Sequence, residues 1–185
     1  EWGLTKQPRN NCPSISQLKE LGDRMANVKH DGAVWTDEQY KVYSDIIKAL
    51  ATFGQIAPSG GNIQPWLFAG VAVGQQDRPF NSLPIALLCT LHPNIPSNLF
   101  DADRLADYFA LGSAVENIVL MAPHAGLKVV EERWVEGGIP KSLLSINREL
   151  SSFKFGQHSN GMILFFKLEP TTTIDPLASQ VTLRG

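Results

Sequence analysis

Apolar residues recur three and four positions apart in the first third of the chain and bunch into short runs afterwards. Helices are therefore expected first and strands later. Ser14-Ile-Ser-Gln17 has the spacing of a capping box, and Ile15, Leu18, Leu21 and Met25 share one helical face behind it. Thr36-Asp-Glu-Gln39 repeats the signal. Tyr43, Ile46, Ile47 and Leu50 follow it at i, i+3, i+4 and i+7, which predicts an amphipathic helix over roughly 37–53. Gly and Pro break the pattern between Pro58 and Pro65. Trp66 to Val73 is then rich in residues that suit a strand. Gln75 to Pro84 is polar and turn-like, Ile85 to Cys89 is a second short strand buried on both faces, and His92 to Asn98 is a loop with two prolines.

The longest helix is expected to start near Asp101 or Asp103, either of which can cap it. Leu105, Tyr108, Phe109, Val115, Ile118, Val119 and Ala122 supply its buried stripe, and apolar residues surround Gly112 and Ala114, so the helix is central. Its end is set by Pro123 and by Gly126, which suits a left-handed cap. Lys128 to Val135 reads as a strand, Pro140 to Leu150 as a short helix and Met162 to Leu168 as a strong strand. The order is α+β. It divides into an N-terminal arm and short helix over 1–35, a main domain over 36–170, and a tail or linker over 171–185.

Composition narrows the class. The 185 residues are 43% hydrophobic and 18% charged, which is ordinary for one globular domain with its own core. A net charge of −2 gives no basic field for nucleic acid, and no Lys/Arg cluster marks an acidic membrane surface. No apolar run reads as long enough to span a bilayer, and no signal peptide is apparent. Cys12 and Cys89 lie far apart, and with His30, His92, His124 and His158 they make no metal spacing, so no metal site is expected. Cys89 reads as a small buried hydrophobe, and the two cysteines fit a reduced, cytoplasmic compartment. The first residue is Glu1, which fits a start inside a longer polypeptide.

The candidate chemistry lies in the break between the second helix and the first strand. Two consecutive glycines, Gly60 and Gly61, let a backbone approach a flat ligand closely and supply positive φ. Ser59 offers a hydroxyl and Asn62 both donors and acceptors, groups suited to the carbonyls and nitrogens on the pyrimidine edge of a flavin. On spacing alone, a plain glycine-rich turn whose Ser and Asn satisfy local backbone is the preferred reading. The whole string Ala57-Pro-Ser-Gly-Gly-Asn-Ile-Gln-Pro-Trp66, however, resembles the Ala-Pro-Ser-x-x-Asn-x-Gln-Pro-Trp signature of the nitroreductase family. Tyr108 to Ala122, closed by Ala125-Gly-Leu127, is similar to that family's central helix. The stretch from Asp101 to Trp134 resembles especially a divergent branch with two tandem halves in one chain, some fused to ubiquitin-activating-like domains.

That resemblance implies a nitroreductase-like three-layer fold with a central mixed sheet and a long central helix, dimeric or pseudo-dimeric. It implies FMN as cofactor and NAD(P)H as co-substrate, with a nitro compound, quinone or similar small molecule as acceptor. The alternative is a flavin-binding or scaffold module without turnover, inside a larger protein. Pro58, Ser59, Gly60, Gly61 and Asn62 would contact the flavin ring, with Gln64 and Trp66 fixing the loop and its strand. No catalytic side chain is required, since the flavin carries the redox chemistry. The partner implied is a second copy or a second nitroreductase-like half, with neither nucleic acid nor membrane.

The family's Arg-Arg-Ser-x-Arg string, which holds the flavin phosphate, has no counterpart before the loop; Arg9, Arg24 and Lys29 stand alone. Ile174 to Arg184 resembles the entry to a second half, where an arginine-rich segment follows; an irregular tail is the other reading. One chain is therefore expected to make an incomplete flavin site.

Overall fold

A computed structural model of the chain describes residues 12–28, 35–79, 81–92, 104–136 and 160–169. The expected helix over 140–150, the N-terminal arm and the tail over 171–185 lie outside the described residues.

Both capping boxes form. Gln17 N–H donates to Ser14 Oγ at 3.2 Å while Ser14 N–H donates to Gln17 Oε1 at 2.7 Å, opening helix α1 (Ile15–Asn27). The reciprocal pair between Thr36 and Gln39, at 3.2 and 2.6 Å, opens α2 (Asp37–Gln55). Each box satisfies amide groups that the first helical turn would otherwise leave unmet. The inner face of α2 is Val42, Tyr43, Ile46, Ile47, Leu50 and Gly54, all buried.

Strands β1 (Trp66–Ala72) and β2 (Ile85–Leu91) form an antiparallel pair, with Phe68 opposite Cys89. Helix α3 (Leu105–Met121) ends in a short 3-10 turn, Ala122–Ala125, closed by Gly126 at φ 67 as expected of a left-handed cap. Strands β3 (Leu127–Val135) and β4 (Gly161–Leu168) complete the sheet, in the order β1-β2-β4-β3. Every described pairing is antiparallel, where a mixed sheet was expected. The reason is local: β4 inserts between β2 and β3 and runs opposite to both, so no crossover joins parallel neighbours among the described strands.

The α+β class is as read from the sequence. One face of the sheet carries Phe68, Leu87, Cys89, Leu91, Leu164 and Phe166 against α2 and α3. The opposite face buries Val71, Ala86, Leu88, Ile163 and Phe165 in a second cluster. This two-sided burial explains why β2 and β4 read as continuous apolar runs rather than alternating ones. A bulge between Val129 and Glu131 shifts the phase of β3. It turns Trp134 toward α3, where it meets Tyr108 at 6.2 Å between ring centroids, and sends Arg133 to the other face, over the Phe165 ring at 4.6 Å.

Helix α3 departs from expectation in two ways. Its N-cap is Arg104, held at φ 57 with no side-chain cap, rather than Asp101 or Asp103. The Arg104 Nε instead donates to the buried Asp107 at 2.9 Å, an ion pair inside the first turn. The inner face is Ala110, Leu111, Ala114, Val115 and Ile118, whereas Leu105 and Phe109, expected in the buried stripe, are 58% and 78% exposed. This inner face packs on α2 and on β1 and β2, while Leu105 and Phe109 fall on the opposite side of the helix. With the 3-10 turn, Leu105–Ala125 is long and apolar enough by length and composition to cross a bilayer, contrary to the sequence reading. Its apolarity is two-sided because one side packs on the sheet and the other faces out.

Candidate functional site

The loop between α2 and β1 begins at Ala57, which is buried and donates its N–H to Gly54 O at 3.2 Å. Ser59 is extended (φ −142, ψ 150), and Gly60–Asn62 make one 3-10 turn. Three of the next residues then sit in the left-handed region: Gly61 at φ 59, Asn62 at φ 55 and Gln64 at φ 53. Glycine adopts that region freely and asparagine tolerates it, so the sequence supplies the two cheapest residues for the turn. Gln64 has no such tolerance. Pro65 bars it from the right-handed helical region, and its N–H is held by Ser59 Oγ at 3.0 Å. Ser59 thus shapes the loop as well as presenting a hydroxyl, a role the sequence reading did not assign to it.

The loop's base is rigid. His92 N–H donates to Pro65 O at 2.7 Å, carrying the β1–β2 ladder up to the loop's exit. Trp66 is buried and stacks on Phe68 at 6.4 Å between ring centroids. Beneath the entry, a Cβ on Gly54 would lie 2.7 Å from Phe68 Cζ and 2.9 Å from Ile118 Cδ1, so α2, α3 and β1 meet there without slack. Asn117 of α3 donates its side-chain N–H to Phe53 O at 3.3 Å. Gln55, the last residue of α2, has a buried Oε1 with no hydrogen-bond partner, an acceptor that a ligand N–H could satisfy.

Above this base, Pro58, Gly60, Gly61 and Asn62 are exposed. A Cβ on Gly61 would approach only Ile63, at 3.7 and 3.9 Å, so the outer side of the turn is open to a ligand. All five sequence-predicted residues therefore lie on one short turn, with the strained backbone at Gln64 just after it. Strained backbone of this kind, costing on the order of 1–3 kcal/mol per non-glycine residue, is characteristic of ligand sites.

Arg24 stands elsewhere. It lines a cavity of about 490 Å³ with Asn27, Val28, Thr36, Glu38 and Val42, at the junction of α1 with the start of α2. The loop follows the other end of the same helix, and 19 residues of helix span about 28 Å. One mononucleotide cannot touch both places in one chain. Among the described residues no group of three or more His, Cys, Asp or Glu side chains comes together to hold a metal ion.

No protein-family model matches the chain, and no curated protein does. Solved structures similar to it in overall shape do exist. A nitroreductase-like protein from Streptococcus mutans has a TM-score of 0.46 at 14% identity, covering 77% of this chain and 88% of that one. A nitroreductase family protein from Clostridium difficile gives 0.44 at 19%, covering 80% and 84%. A nitroreductase candidate from Desulfovibrio desulfuricans, solved in complex with FMN, gives 0.45 at 19%, covering 94% and 98%. They share one family description. The functional reading rests on the loop itself.

Proposed function

We propose that this chain is a flavin oxidoreductase domain of nitroreductase type, in which the turn Pro58–Asn62 receives the ring of FMN. The observation that carries the reading is the conformation of that turn. The string resembling the family signature adopts a strained, outward-facing backbone on a rigid base, with Gly61, Asn62 and Gln64 left-handed. The residues fit a flat heteroaromatic ring: two glycines admit close approach, and Ser59 and Asn62 offer polar groups to its edge. Bound FMN would supply the redox chemistry, taking a hydride from NAD(P)H and passing it to a nitro, quinone or similar acceptor. The chain's own part is positional. Ser59 and Pro65 fix the turn, Trp66 and His92 fix its exit, and backbone groups set the ring's orientation.

The phosphate end needs a second contributor. Arg24 is a helix length from the loop, and among the described residues no arginine pair flanks the turn. A second copy, or a second half of the same type, would bring its phosphate-binding groups to the ring held here. Absorbance spectroscopy tests the reading. Purified protein mixed with FMN and freed of excess should remain yellow, and NADPH should bleach it. A yellow protein that NADPH or NADH never bleaches would instead be a flavin-binding module without turnover. Protein that retains no flavin as a dimer would leave an interaction domain.

A further inference from the structure

The cavity between α1 and α2 carries charges that the fold itself does not use. Arg24 lies in the last turn of α1 and Glu38 in the first turn of α2, so opposite charges enter one space of about 490 Å³ from two helix ends. Among the described residues, no ion pair or hydrogen bond engages the Arg24 guanidinium, the Glu38 carboxylate or the Asn27 amide. The start of α2 does not replace Arg24 as an anion site, because the capping box takes the N–H groups of Thr36 and Gln39. The Thr36 hydroxyl accepts from Gln39 and keeps its own proton to donate. Buried Val42 and half-buried Val28 give the lining an apolar part.

Both walls are held in place. A Cβ on Gly22 would lie 2.7 Å from the Ala125 carbonyl, so α1 sits tight against the 3-10 turn. The start of α2 is fixed by Trp35, whose ring centroid is 5.6 Å from those of both Tyr40 and Tyr43. Tyr43 is in turn tied to the sheet through its bond to Ile85 O. The volume falls within the range of small-molecule sites, about 300–1,000 Å³.

We infer that this cavity binds a small apolar aminocarboxylate, a free amino acid or short peptide, with its carboxylate on Arg24 and its ammonium on Glu38. Only a ligand bearing both charges answers both groups. A simple anion would meet Arg24 but face the Glu38 carboxylate, and a simple cation would meet the reverse. The guanidinium fork matches a carboxylate in shape as well as charge. Asn27 and Thr36 add neutral donors, and Val28 and Val42 receive the ligand's aliphatic part. The site stands at the opposite end of α2 from the Pro58–Asn62 turn, so it neither needs nor supplies the flavin ring.

Calorimetric titration of the full chain without FMN tests the inference independently of the flavin reading. L-leucine serves as the free amino acid and L-leucyl-L-leucine as the peptide; the tighter of the two identifies the source. Isocaproate, which lacks the ammonium, and isoamylamine, which lacks the carboxylate, should each bind roughly tenfold or more weakly than leucine, the usual weight of a charge-assisted hydrogen bond. Arg24→Gln should erase leucine's advantage over isoamylamine, and Glu38→Gln its advantage over isocaproate. Both side chains are exposed, so both variants should keep the parent's circular dichroism spectrum. No saturable binding of either zwitterion up to about 10 mM would overturn the inference. Isocaproate binding as tightly as leucine would overturn it too, as would displacement of leucine by equimolar inorganic phosphate, since either marks a plain anion site.

Discussion

Gln64 is the residue whose conformation is hardest to account for without the structure. Nothing in its identity favours φ 53, and the following Pro65 favours extended backbone instead; the bond from its N–H to Ser59 Oγ is the local contact that accompanies it. Gln64→Gly should therefore fold with equal or slightly greater stability, while the β-branched Gln64→Val should lose about 1–2 kcal/mol, read by urea denaturation. Two buried acids give a second residue-scale prediction. Burial raises the Cys89 thiol above its ordinary 9.0 and the Tyr43 phenol, which donates to Ile85 O at 2.7 Å, well above 10.0. Above pH 9 the unfolded chain releases protons that the folded chain keeps, so stability falls as pH rises. The slope should approach about 1.4 kcal/mol per unit from Cys89 and steepen above pH 10 as Tyr43 joins. Denaturation midpoints measured from pH 8 to 11 should show this, and Cys89→Ala should flatten the first part of the decline.

Elements whose signals are local were legible in the sequence. The Ser14 and Thr36 capping boxes, the Gly126 cap and the strands at 66, 85, 127 and 161 depend on neighbours within a few residues. What was not legible depends on packing. Helix α3 is apolar on two faces, and periodicity alone cannot say which face meets the sheet; Leu105 and Phe109 were therefore expected inside and lie outside. Its left-handed Arg104 start and the β3 bulge have no capping or turn residue to announce them. Two glycines separate these cases experimentally. A Cβ on Gly22 would lie 2.7 Å from the Ala125 carbonyl carbon and oxygen, so Gly22→Ala should push α1 off the 3-10 turn and cost about 1–3 kcal/mol. Gly112 meets nothing, so Gly112→Ala should raise the stability of the single chain by up to about 1 kcal/mol through helix propensity alone. Gly112→Leu should likewise keep that chain folded, seen as an unchanged circular dichroism spectrum.

At the scale of the molecule, the four described strands form an antiparallel sheet, and the turn stands at one end of α2 with the Arg24 cavity at the other. The turn could be recognised from its string of residues. The missing arginines made a second contributor an expectation, and the length of α2 sets Arg24 apart from the turn. In the function proposed above, Pro58–Asn62 holds the ring of a flavin shared with a second copy. The most direct measurement is titration of FMN, followed by quenching of its fluorescence, into the parent and into a Ser59→Ala/Asn62→Ala double variant, with oligomeric state read on the same samples. Each hydrogen bond to the ring is worth on the order of 1 kcal/mol, so the double variant should bind roughly tenfold or more weakly while remaining folded and dimeric. Binding in the parent should appear only in dimeric protein. Equal affinity in parent and double variant, or tight stoichiometric binding by a monomer, would contradict the account.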